Sequence, residues 1–148
     1  MTAVSGAASN RLAEAAERAE SEGRFEEARR LWGELAAVAR DHPRALLQQG
    51  QGALRQGDAR TALKLYRQAE AGDPREVSIK LQLAVAMRML GDLHGALRAL
   101  DDALAIQPYL LMALLSKGAV LEKLGHLQLA AQSYRYALQV APDRKSVV

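Results

Sequence analysis

Small and apolar residues recur along this chain at a spacing of 34. Gly stands at 23, 57, 91 and 125 and Ala at 28, 62, 96 and 130, each series stepping without a slip. A period in this range marks a chain built from one repeated supersecondary unit. Placing each Gly at position 15 divides the chain into repeats 9–42, 43–76, 77–110 and 111–144, with a flexible leader at 1–8 and a tail at 145–148. Position 8 is always small (Ala16, Gly50, Ala84, Gly118) and position 24 always large (Trp32, Tyr66, Leu100, Tyr134). Position 27 holds Leu35, Ala69, Ala103 and Ala137, and position 32 holds Arg40, Pro74, Pro108 and Pro142. Gly at position 15 suits the left-handed conformation that ends a helix, and Asp58 and Asp92 directly after it can cap the next one. Pro at position 32 cannot continue a helix. Each repeat therefore predicts a helix A, a tight turn and a helix B, eight helices in all. In the first repeat the proline is delayed to Pro43, so that helix B is expected to run a turn longer.

This pattern resembles the tetratricopeptide repeat family, whose unit has small residues at positions 8, 20 and 27, a large one at 24 and Pro at 32. The resemblance covers residues 9–144. It implies an all-α protein, a right-handed α-solenoid of four helix-turn-helix repeats in a single domain. Lys80 at position 4, and Gln49 and Lys117 at position 7, depart from the family's apolar preference. Their long stems are expected to snorkel toward water.

Composition agrees with helices. The chain has 29 Ala and 24 Leu but only 8 Val, 2 Ile and 2 Thr, and the first two residue types lose little rotamer freedom in a helix. The absence of Cys excludes disulfides, thiolate metal sites and cysteine nucleophiles. Met1 to Asn10 has no basic segment or apolar run of the signal-peptide kind, and the longest apolar stretch, Tyr109 to Leu115, is far below the roughly 18 residues of a membrane span. A cytoplasmic protein without membrane contact is expected.

Chemistry is sparse. The glycines follow the period and none forms a phosphate loop. His94 and His126 fall near one edge of adjacent repeats, but no carboxylates accompany them as a metal site would need, and His42 stands apart. Ser116 and Ser133 have no His and Asp partners at a recognisable spacing. Glu14 to Glu34 alternates with Arg18, Arg24, Arg29 and Arg30, the pattern of an ion-paired solvated face. The reading is a non-enzyme with no metal and no cofactor. The net charge of +3 lies mainly in repeats two and four. Its densest group, Arg55, Arg60, Lys64, Arg67 and Arg75, is expected to point around two helices, so nucleic acid is not an expected partner.

By resemblance, ligand contacts come from positions 2, 5, 6, 9, 12 and 13 of the A helices, which line a concave groove. The expected partner-binding residues are Arg44, Leu47, Gln48, Gln51 and Arg55 in repeat two, Leu81, Val85, Arg88 and Met89 in repeat three, and Met112, Leu115, Ala119 and Lys123 in repeat four. Repeat one offers Asn10, Glu14, Glu17 and Glu20, and no repeat has the basic set with which some relatives clamp a terminal carboxylate. The apolar half of the groove suits an amphipathic helix or extended segment, with Met adapting to irregular partners. Part of this stripe is expected to pack between helices as core. The expected function is a non-catalytic scaffold that binds a protein or peptide.

Repeat arrays need a polar cap, and the six residues from Asp143 to Val148 are too short for one. Tyr134, Tyr136 and Leu138 on the last helix are therefore expected to form an oligomer face, or else the chain is a portion of something longer. The stretch from Ala103 to Pro142 also resembles, more weakly, the repeat segment that precedes bacterial aspartyl/asparaginyl β-hydroxylase-type catalytic domains. That likeness implies an accessory module of a 2-oxoglutarate-dependent hydroxylase.

Overall fold

A computed structural model describes residues 6–141. Among the described residues there are eight α-helices and no strand: α1 (Gly6–Ser21), α2 (Phe25–Val38), α3 (Pro43–Arg55), α4 (Ala59–Gly72), α5 (Val77–Met89), α6 (Leu93–Ile106), α7 (Leu111–Lys123) and α8 (Leu127–Val140). The A helices end at 21, 55, 89 and 123 and the B helices at 38, 72, 106 and 140, each again 34 apart. Pro142 and the tail at 145–148 lie outside the described residues.

Each A helix stops for the same local reason. Gly23, Gly57, Gly91 and Gly125 all have φ between 78° and 84°, which an L side chain adopts only at a cost. In repeat two the Gly57 amide donates to the Leu54 carbonyl and the Asp58 amide to that of Ala53, both at 2.9 Å. These two bonds satisfy carbonyls that the helix end would leave bare. Asp58 Oδ1 then accepts from the Thr61 amide at 3.1 Å, and Asp92 Oδ1 from the Gly95 amide at 2.9 Å, so both expected caps form.

The expected extra turn of α2 does not form. It ends at Val38, in register with the other B helices. The chain leaves the helix at Ala39, where φ is −146° and ψ 71°, and His42 caps α3 while Pro43 occupies its first turn. Pro43 thus starts the following helix, where its missing N–H does no harm, and has no part in ending α2. The leader is also shorter than expected, because Gly6 to Ala8 already belong to α1.

The helices form two compact units, one holding α1 to α4 and the other α5 to α8. In the first, α1 packs on α2, α2 on α3 and α3 on α4; in the second, α5 packs on α6, α6 on α7 and α7 on α8. The position-20 alanines, Ala28, Ala62, Ala96 and Ala130, are all buried. Gly50 and Gly118 let the rings of Tyr66 and Tyr134 come so close that a Cβ would overlap Cε1 and stand 2.8 Å from Cδ1 in each pair. Among the polar stems at apolar positions, Lys117 reaches Asp101 at 2.7 Å and Gln49 is exposed, but Lys80 is buried and does not snorkel.

Candidate partner-binding faces

In the unit of α5 to α8, Leu81, Val85, Arg88 and Met89 fall at i, i+4, i+7 and i+8 of α5, which places them on one helix face. Met112, Leu115, Ala119 and Lys123, at i, i+3, i+7 and i+11, likewise share one face of α7. Val85 is 39%, Met89 52% and Met112 62% exposed, so their apolar atoms meet water. Leu81 is half-buried, and so is Ala119. Leu115 is 38% exposed. It lines an apolar cleft of about 330 Å³ with Leu111, Tyr134, Ala137, Leu138 and Ala141.

That cleft separates the three residues expected to form one oligomer face. Tyr134 and Leu138, four residues apart, share it, but Tyr136 lies elsewhere. Two residues along a helix turn a side chain by about 200°, which carries Tyr136 to the far side. There it stacks on Tyr109 with ring centroids 6.3 Å apart. It also borders a cleft of about 620 Å³ above the Lys117–Asp101 ion pair.

In the unit of α1 to α4, Arg44, Gln48, Gln51 and Arg55 share a face of α3, with Leu47 beside them. Arg44 Nε reaches Glu17 Oε1 of α1 at 3.3 Å, and Asn10 Oδ1 lies 3.1 Å from His42 Nε2. This face is therefore polar and already bridged by its own groups. Gln48 and Arg55 line a cleft of about 480 Å³ with Glu20, Phe25 and Trp32.

Two further pairings lie outside the sequence expectations. Trp32 Nε1 donates to Glu20 Oε1 at 3.0 Å, and Tyr134 Oη donates to Glu122 Oε1 at 2.5 Å. In both, the ring at position 24 is held by a Glu at position 12, and the shared 12-residue offset was the available signal. The bond to Glu122 is the main cause that raises the Tyr134 phenol above its ordinary pKa. Burial pushes the Tyr66 phenol up to about 12. Glu20 and Glu122 thus hold rings in place.

The candidate catalytic groups are engaged structurally. Ser133 is buried and its Oγ donates to the Leu114 carbonyl at 2.7 Å. His42 Nδ1 accepts from the Arg44 amide at 3.2 Å, which leaves Nε2 as the protonated nitrogen facing Asn10. His94 and His126 are exposed at the start of α6 and the cap of α8. Among the described residues no three His, Asp or Glu side chains stand close enough to hold a metal ion, and no helix is long and apolar enough to cross a membrane.

Residues 47–110 match the tetratricopeptide repeat family model, and the eight helices fit four such repeats. The chain has the tetratricopeptide repeat fold. Solved structures share the fold. The crystal structure of MamA matches with a TM-score of 0.72 at 16% identity, over 93% of this chain and 81% of that one. A thermophilic tetratricopeptide repeat protein of Thermus thermophilus matches with a TM-score of 0.70 at 24% identity, over 89% and 74%. The second repeat domain of Spaghetti (RPAP3), solved bound to the HSP90 peptide SRMEEVD, matches with a TM-score of 0.64 at 19% identity, over 67% and 92%. A comparison with curated proteins finds no match, so the hydroxylase likeness of Ala103 to Pro142 rests on the sequence alone.

Proposed function

We propose that this protein of tetratricopeptide repeat fold is a non-catalytic scaffold, working in the cytoplasm, that captures a peptide or helix of a partner protein on the outward faces of α5 and α7. The observation that carries this reading is the exposure of Val85 and Met89, one turn apart on α5, and of Met112 in the first turn of α7. Arg88 and Lys123 beside them give the face a basic fringe. Such a surface fits a segment whose apolar side chains recur every three or four residues and whose flanks are acidic. Support also comes from the Spaghetti domain, a relative in fold that holds a peptide.

Selection of peptides from a random display library on the full chain tests this. The selected sequences are expected to carry paired apolar anchors and to lose at least about tenfold in affinity on Val85→Glu with Met112→Glu, the size of two lost apolar contacts. Retained affinity in a folded double variant would remove the reading.

A second reading is favoured by the apolar cleft of Leu111, Leu115, Tyr134, Ala137, Leu138 and Ala141. A second copy of the chain can cover this cleft. Leu138→Glu is then expected to turn a concentration-dependent dimer into a monomer by light scattering, and a wild-type protein monomeric at high micromolar concentration would contradict this.

A further inference from the structure

The charges of this protein are unevenly satisfied. In repeat one Arg24 bonds Glu22 and Glu27, Arg29 and Arg30 reach Glu26 and Glu34, and Glu17 holds Arg44. Asp101 holds Lys117, while Asp58 and Asp92 are spent as helix caps. Repeat two differs. Arg60, Lys64 and Arg67 are all exposed on α4, and among the described residues none of them lies within ion-pair distance of a carboxylate. Their spacing of i, i+4 and i+7 brings them within about 60° of one another around the helix and spreads them over about 10 Å along it. Together with Leu63, Gln68 and Ala71 they form one open patch on the surface of α4.

The basic group is divided between two helices as expected, with Arg55 on α3 lining a separate cleft and these three together on one face of α4. At the corresponding positions repeat one carries Glu26, Arg30 and Gly33, so the stripe belongs to repeat two alone in that unit. Like charges three and four residues apart repel and weaken the helix that carries them. A bound anion would remove that repulsion.

We propose that α4 presents a second docking surface, for an acidic segment of a partner protein, separate from the apolar faces of α5 and α7. Three cations over about 10 Å match carboxylates at i, i+4 and i+7 of a facing helix, and the two arginines can each grip one bidentately. An aliphatic side chain between those carboxylates meets Leu63. A second copy of this chain is a poor source, because most of its acidic groups already hold its own arginines, lysine and helix ends. Single-stranded nucleic acid is disfavoured because no aromatic ring lines the patch for bases to stack on. A membrane surface is disfavoured because no large apolar side chain stands proud beside the cations.

The test uses the full chain and a labelled, end-capped, Ala-based helical peptide carrying three Glu at i, i+4 and i+7, read by fluorescence anisotropy at low and high salt. Binding is expected, weakening with salt. Arg60→Glu with Lys64→Glu and Arg67→Glu is expected to reduce affinity at least about tenfold. The same peptide with Gln for Glu is expected not to bind, and Val85→Glu is expected to change nothing, which separates this surface from the groove. Should the triple variant fail to show a wild-type helical spectrum, Lys64→Glu alone is expected to weaken binding about threefold. Equal binding by the folded variants, no binding by the wild type, or tighter binding of a single-stranded DNA oligomer or phosphatidylserine vesicles would overturn the proposal.

Discussion

Gly50 faces the edge of the Tyr66 ring at a distance that leaves no room for a side chain: a Cβ there would overlap Cε1 and stand 2.8 Å from Cδ1. The same pairing recurs between Gly118 and Tyr134. The other two repeats put Ala at position 8, with Trp32 or Leu100 opposite. The residue at position 8 is therefore matched to the shape at position 24, and the pair fixes how closely helices A and B approach.

Gly50→Ala is expected to destabilise the unit of α1 to α4 by about 1–3 kcal/mol, the usual cost of overpacking a filled core. Tyr66 is fully buried and cannot swing aside. Adding Tyr66→Leu recreates the Ala84–Leu100 pairing of repeat three and is expected to recover part of the loss. Urea denaturation followed by Trp32, the one tryptophan of the chain, measures both variants.

Two glycines are expected to respond in opposite ways. Gly57 ends α3 with φ of 78°, and Gly57→Ala should cost about 1 kcal/mol or more from backbone strain. Gly33 lies inside α2, and a methyl group added there would meet nothing within 4 Å. Gly33→Ala should stabilise by about 0.5–1 kcal/mol through helix propensity. Thermal denaturation of the two single variants checks the contrast.

His42 gives the stability a pH dependence. Burial first, and then the charge of Arg44, holds its imidazole below the ordinary pKa of 6.5, with Asp73 opposing. The folded state therefore prefers the neutral ring, whose Nδ1 accepts the Arg44 amide. The unfolded chain takes up the proton first, so stability is complete above about pH 6.5 and falls as pH drops through that value toward the lowered native one. His42→Asn keeps a capping acceptor and removes the titration. Its Trp32 denaturation midpoint is expected to vary less than that of the wild type between pH 7 and 5.

The sequence made the period, the turn glycines and the aspartate caps readable, because each depends on a backbone requirement that one residue type meets. Helix ends followed the same period even where the proline did not, since the chain breaks at Ala39 and restarts at the His42 cap. Tyr136 parts from Tyr134 and Leu138 by the turn of about 200° that two helical residues make, which the spacing alone implies, while Leu115 also borders the end cleft. What could not be read was direction around a helix once several elements compete for one face. Glu20 and Glu122 looked like groove positions, yet the rings of Trp32 and Tyr134 claim them. Conversely, Arg60, Lys64 and Arg67, expected within a group spread around two helices, share one face.

The central claim is that partner capture occurs on α5 and α7. The most direct measurement is a methyl NMR titration of the full chain with a library-selected peptide. The account predicts the largest shifts at Val85, Met89 and Met112, with the buried methyls of Val120 and Ile79 little changed. Shifts confined to Leu63, to Leu97 and Leu129, or to the end cleft at Leu138, with Val85 and Met112 unmoved, would contradict it.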